Sequence, residues 1–310
     1  MELNNKLKGS IYVAIGASCY GILASLVKLS YKEGHSTAEI SSAQFSIGLF
    51  CMAILCLVIK DHFVKPTIKN KIQLILWGTS MGFTSVLYYL CVKFLNANIA
   101  VVFLMQSVWI GVVIEAIRLK KFPDLRKTLA VILVLIGTFL TTQIWKNFQL
   151  NSLGFFFGFL SALSFSATMF GAFSVATQCS PYKRSFYMLC GGIVIVAFFT
   201  LFTQVLPHAG YNPLQLSDKI IFPQAFRWEL FYSYGIPLAL FATVIPPIFM
   251  NKGFPKTGVG LGSILSALEL PISATFAYFI LKETLTNTQW IGVFIILFSV
   301  LLIHYKENKL

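Results

Sequence analysis

The feature that most constrains this chain is a recurring one: uncharged apolar runs about as long as a bilayer is thick, each closed by a short basic segment. Residues 185–207 and 147–182, for example, hold no charged side chain. Roughly 18 to 20 apolar residues cross ~30 Å of hydrocarbon as a helix. Inside lipid a segment must satisfy its own backbone hydrogen bonds, so such runs are helical, and their unbroken character excludes the alternating strands of a barrel. Ten runs are expected as spans, at about 9–30, 40–60, 72–93, 97–118, 127–145, 152–176, 184–206, 230–251, 257–281 and 286–305. Charged residues make up 11% of the 310 positions, against roughly 25% in a soluble domain. The sequence therefore predicts an all-α integral membrane protein of ten transmembrane helices with little mass outside the bilayer.

Lys and Arg set the orientation. With the N-terminus in the cytoplasm, 17 of the 24 basic residues fall in inside segments and 6 in outside ones, Lys28 lying within the first span. Every inside loop carries at least two, such as Lys120 with Lys121, Lys183 with Arg184, and Lys252 with Lys256. A missed or invented span would reverse this alternation downstream, so both termini are expected inside, in an inner (plasma) membrane. The same distribution argues against nucleic-acid binding despite the net charge of +13, because the basic residues follow the loops instead of gathering on one face or tail. The six cysteines form no CxxC pair and read as small apolar fillers, with no metal or cofactor implied. The first run is too long for a signal-peptide core and is expected to remain as the first span.

Most loops are short. The outside stretch from Pro207 to Trp228 is the exception. Ile220, Ile221, Phe222, Phe226 and Trp228 would let it lie on the membrane surface, either as an interfacial connector or as a lid over a solute path.

The halves 1–146 and 147–310 hold five spans each. An odd number per repeat forces opposite orientations, which is the inverted-repeat design of transporters, with a solute site near the midplane. Gln106 in span four falls on Glu269 in span nine, and the same shift sets Lys120 on Glu283 and Phe122 on Leu285.

The run Ser263-Ile-Leu-Ser-Ala-Leu-Glu269-Leu-Pro271, followed by Leu281-Lys-Glu283-Thr-Leu, resembles the last helices of the drug/metabolite transporter superfamily in its EamA-type ten-helix branch. Lys252-Gly-Phe254, Trp290-Ile-Gly292, Lys93-Phe-Leu-Asn-Ala97 and Gln106 fit the same pattern. The first repeat departs from it: Ser107 and Val108 stand where a proline is usual, Gln44 where a basic residue is common, and Leu119-Lys120 where Gly-Glu is expected. The resemblance implies two inverted five-helix halves around a cavity lined mainly by spans 1, 3, 4, 6, 8 and 9. It also implies metabolite solutes such as amino acids and nucleosides, often moving outward.

Several residues are candidates for the work. Glu269 is the sharpest: an ionised carboxylate at mid-bilayer costs a few kcal/mol or more, so it faces a cavity or carries a proton. It would exchange a proton or bind a substrate amine, or instead hydrogen-bond a neighbouring helix. Gln106 is either a site residue or interhelical glue. Lys28 either snorkels outward or contacts a substrate carboxylate. Glu115 is expected to pair with Arg118 or a nearby lysine, or to gate. Ser266 is a small polar candidate, and Tyr20, Tyr88, Tyr89 and Trp109 offer aromatic walls with polar tips. Helix breaks or hinges are expected at Pro246, Pro247 and Pro271, and at Gly258 and Gly262, where small residues also permit close packing.

No HExxH, P-loop or Ser-His-Asp arrangement is present, and a membrane-embedded enzyme would need clustered carboxylates or histidines. The expected function is secondary transport of a small organic metabolite by alternating access, with proton coupling and uncoupled facilitation both open. A lipid flippase and a non-transporting receptor are the alternatives.

Overall fold

The computed structural model describes residues 2–59, 62–95, 97–143, 145, 151–216, 220–282 and 284–304. The expected boundary between the halves at 146/147, and Glu283, lie outside them. Among the described residues the regular elements are all helices. In chain order the helices are α1 (Glu2–Lys32), α2 (Thr37–Val58), α3 (Ile68–Phe94), α4 in two pieces (Ala97–Leu104 and Ser107–Leu119) and α5 (Leu125–Thr142). The second half has α6 (Ser152–Ser174), α7 (Pro181–His208), α8 (Gly235–Thr257), α9 in two pieces (Val259–Ser266 and Glu269–Leu281) and α10 (Asn287–His304). Among the described residues, nine of these are long and apolar enough to cross a membrane, and α10 is a shorter apolar helix.

Span positions agree with the charge pattern, but several helices run on past their charges. α8 continues through Lys252 and Lys256, because both ammonium groups lie over aromatic rings. Lys252 Nζ is 4.8 Å from the Tyr182 ring centre and Lys256 Nζ is 5.3 Å from that of Tyr12. A charge marks the edge of the hydrocarbon, not the end of the helix.

Surface and interior follow membrane logic. Large apolar side chains such as Phe50, Leu57, Leu76, Phe83, Phe279 and Phe294 point outward, while helix contacts are made at small residues. Gly78 of α3 meets the backbone of Met188 on α7, and Gly253 of α8 meets Gly9 and Val13 on α1.

Packing partners reveal the inverted repeat. α3 packs on α6 and α7; its counterpart α8 packs on α1 and α2. α4 crosses α9, and α5 crosses α10. The α4–α9 contact runs Gly111 to Ser263, then Glu115 to Gly260 and Gly258. Numbers rise on one helix as they fall on the other, so the two are antiparallel, as five-span repeats require. The bundle thus has a terminal end, bearing the start of α1 and the end of α10, and a distal end, bearing the α1–α2 turn and the described parts of the α7–α8 connection.

The structure corrects the register of the duplication. Ser107 and Glu269, Lys120 and Lys282, and Leu125 and Asn287 start or end equivalent helices and are each 162 positions apart. Lys120 and Lys282 are both left-handed C-caps, with φ 52° in each. Glu269 therefore matches Ser107, and Gln106 matches Leu268. The longer α7–α8 connection absorbs the difference from the α2/α7 register, where Thr37 and Pro181 stand 144 apart.

Candidate functional site

The site begins at the two broken helices. In α9, Pro271 has no N–H for the Ala267 carbonyl, and the chain tightens so that Leu270 N–H donates to it instead, at 3.1 Å. In α4 the same turn forms without a proline: Val108 N–H donates to the Met105 carbonyl at 3.1 Å. Here Gln106 stabilises the break. Its backbone N–H turns to Phe103, so the Val102 carbonyl loses its partner, and the Gln106 side-chain amide fills the gap at 3.0 Å. Gln106 Oε1 accepts from Trp109 Nε1 at 2.9 Å. Both expectations for Gln106 are thereby revised, because its bonds stay within its own helix. Neither Gln106 nor Trp109 is among the residues that line the central cavity.

Glu269 starts the second piece of α9 and points into that cavity, a space of about 80 Å³. It is 6% exposed. Among the described residues its carboxyl has no hydrogen-bond or ion-pair partner. Tyr20 from α1, Tyr88 and Tyr89 from α3 and Gln44 from α2 stand around it, with Thr84 and Thr243 adding hydroxyls. Tyr89 donates to the Gln44 carbonyl oxygen at 2.7 Å. Tyr20 is fixed edge-on to Phe165, with ring centres 5.9 Å apart. The lining draws on α1, α2, α3, α4, α6, α8 and α9, so α2 joins the set that the resemblance implied.

Four of the expected binding residues thus converge: Glu269, Tyr20, Tyr88 and Tyr89. Ser266 does not join them; it is buried and donates to the Gly262 carbonyl at 3.0 Å. Lys28 is half-buried two turns further along α1 from Tyr20 and is not part of the lining. Gln44, Thr84 and Thr243 were not singled out as site residues. Gln44 is a lone amide in an apolar run, which was a usable signal; threonines in helices are too common to be one.

The hinge expectations divide. α8 is not broken at Pro246 and Pro247. It forms a π-helical turn over Leu240–Val244, in which Ile245 N–H reaches back to Leu240, so the chain accommodates two missing donors within a continuous helix. Gly258, at φ +82°, is the single residue on which α8 turns into α9. Gly262 is a packing glycine, since a Cβ there would overlap the Phe254 ring. Glu115 pairs with Lys127, while Arg118 lies over the Phe173 ring at 4.6 Å. The carboxylate of Glu115 also sits against Gly258 and Gly260, at the first turn of α9.

Sequence comparison agrees with this architecture. The family model described as EamA-like transporter family matches residues 7–143 and 152–305. An uncharacterized transporter of Archaeoglobus fulgidus is 26% identical over 180 residues, covering 58% of this chain and 57% of that protein. An uncharacterized transporter of Synechocystis sp. is 24% identical over 233 residues, covering 74% and 65% respectively. The chain thus spans less than two thirds of the length of either relative. A solved crystal structure superposes with a TM-score of 0.67 at 13% identity, over 96% of this chain and 97% of the other, which shows a shared fold. Two five-helix halves, two broken helices crossing at the centre and a family match across both halves lead to one conclusion: the chain belongs to the EamA-like transporter family.

Proposed function

We propose that this membrane transporter is a secondary carrier that moves a small amino-acid-like metabolite outward, without chemical change, by rocking its two halves about the central cavity. The supporting observation is the Glu269 carboxyl, buried, without a partner among the described residues, and walled by tyrosines. A carboxylate in that setting is costly until a cation meets it. A solute ammonium, or a proton, would supply one. The Tyr20, Tyr88 and Tyr89 rings offer apolar faces and hydroxyls to the rest of the solute. Proton coupling through Glu269 fits this geometry and so does facilitated exchange. The distribution of basic residues supports cytoplasmic termini and an inner-membrane location.

The test is counterflow in proteoliposomes preloaded with amino acids, nucleosides or polyamines, with and without a pH gradient. Saturable exchange of an amine-bearing solute, lost in Glu269→Gln, supports the reading. Intact protein that exchanges none of these classes overturns it. Unchanged gradient dependence in Glu269→Gln removes the coupling role alone.

A further inference from the structure

A second cavity, of about 120 Å³, lies at the distal end, between the α1–α2 turn, the last turn of α3 and the α7–α8 connection. Phe199, Ile220 and Phe222 supply apolar lining; Tyr31, His35, Ser36, Thr37, Lys93 and Thr203 supply polar groups. Its chemistry is set by what its neighbours have already done with their charges. Glu39, fully buried, is saturated: its carboxylate accepts Ser36 N–H at 2.9 Å, the Gln204 amide at 2.8 Å and Arg227 N–H at 2.8 Å, with His35 Nδ1 at 3.4 Å. Glu33 accepts the Tyr234 hydroxyl at 2.6 Å and faces His35 Nε2 at 3.8 Å. These acids tie Arg227 and Tyr234, near the start of α8, to the α1–α2 turn. Among the described residues no carboxylate lines the cavity, and Lys93, which is exposed, has no ion-pair or hydrogen-bond partner.

Apolar lining beside an ammonium with no described partner, and hydroxyls, matches one ligand class. A cation would be repelled, and a neutral molecule would gain nothing from the exposed ammonium; an organic carboxylate pairs with it and sets its body against Phe199 and Phe222. We propose that this cavity is a binding station for a small organic monocarboxylate, with Lys93 as its anchor. Tyr31 of its lining also reaches the lining of the central cavity. The Tyr31 hydroxyl is 3.0 Å from Thr37 and donates to the Tyr89 carbonyl at 3.4 Å, and Tyr89 in turn reaches Gln44 in the central cavity. The two linings therefore touch, Tyr31 of this cavity against Tyr89 of the central one.

Benzoate is the probe, titrated calorimetrically into the purified full chain in detergent micelles, with benzylamine and benzyl alcohol as matched controls. Saturable benzoate binding is expected, at least tenfold weaker in Lys93→Gln, retained in Lys93→Arg and unchanged in Glu269→Gln; neither control should show saturable binding that depends on Lys93. Ile220→Trp, which fills the cavity while keeping Lys93, should also abolish it and serves if Lys93→Gln does not fold. Absent benzoate binding, equal affinity in Lys93→Gln, or loss in Glu269→Gln in its place overturns the proposal. The measurement needs no transport, so a failed counterflow experiment leaves it standing.

Discussion

Gly21 of α1 is pressed against Glu269: a Cβ on Gly21 would stand 2.6 Å from the Glu269 carbonyl oxygen and 2.9 Å from Cβ of Ile272. The first helix therefore fixes the height at which the cavity carboxyl sits. Gly21→Ala gains about 1 kcal/mol of helix propensity but forces apart two backbones that cannot yield, an overpacking cost of about 1–3 kcal/mol. The expected net result is a lower thermal midpoint in detergent and slower solute exchange. A midpoint equal to or above wild type would show that the contact is loose.

Glu269→Gln keeps the side chain's size and removes its charge. Exchange of a cationic solute requires the ionised carboxyl, so in the wild type it should rise with pH as protons cease to compete. In Glu269→Gln that rise should flatten and the maximal rate should fall, while the melting profile stays close to wild type. An unaltered pH profile would assign the dependence to another group.

Tyr89→Phe removes the donor that occupies the Gln44 carbonyl oxygen. The freed acceptor is then available to solute, so the half-saturating concentration should change by several-fold, in line with a hydrogen bond of about 1 kcal/mol. The maximal rate should change less. Equal kinetics would place the solute away from α2.

Arg184 counts toward the basic loop in the sequence, yet it is 1% exposed. Its guanidinium donates to the carbonyls of Val175 (3.0 Å), Asn251 (2.7 Å) and Ala172, tying the end of α6 to α8 at the terminal end. Arg184→Lys cannot reach three acceptors from one point charge. A loss of at least about 3 kcal/mol is expected, since hydrogen bonds to charged groups contribute about 1.5–3 kcal/mol each. Thermal unfolding in detergent measures it; a wild-type midpoint would contradict this role.

Glu115→Gln should destabilise modestly, because the carboxylate is partly exposed. The exposed part of its ion pair with Lys127 contributes about 1 kcal/mol or less, and its position at the first turn of α9 adds about 0.3–1 kcal/mol. The charge swap Glu115→Lys with Lys127→Glu restores the pair but puts a cation at that helix start. It should stay below wild type in thermal midpoint, and full recovery would reduce Glu115 to a surface partner.

The spans were legible because lipid imposes a one-dimensional rule: length and charge suffice. The broken helices were legible only in α9, where Pro271 announces the break; in α4 the same break rests on the Gln106 side chain, which no pattern marks. A one-residue error in the duplication register followed, since weak similarity does not resolve a single position and the left-handed caps at Lys120 and Lys282 do. Glu269, Tyr20, Tyr88 and Tyr89 were found because mid-membrane polarity is costly. Lys93 and Arg184 were read as loop charges. Their roles depend on which carboxylates are already spent and which carbonyls lie near, and neither is written locally in the chain.

The ion pair at Glu115 and Lys127 has no twin. The positions 162 residues on are Ala277 and Gln289, and Gln289 spends its amide on the Thr141 carbonyl. Two identical inverted halves would make the cavity's opening toward either face isoenergetic. In the rocking mechanism proposed here, an ion pair in one half with no equivalent at the matching positions of the other lifts that degeneracy, so the unloaded carrier rests preferentially with one door shut.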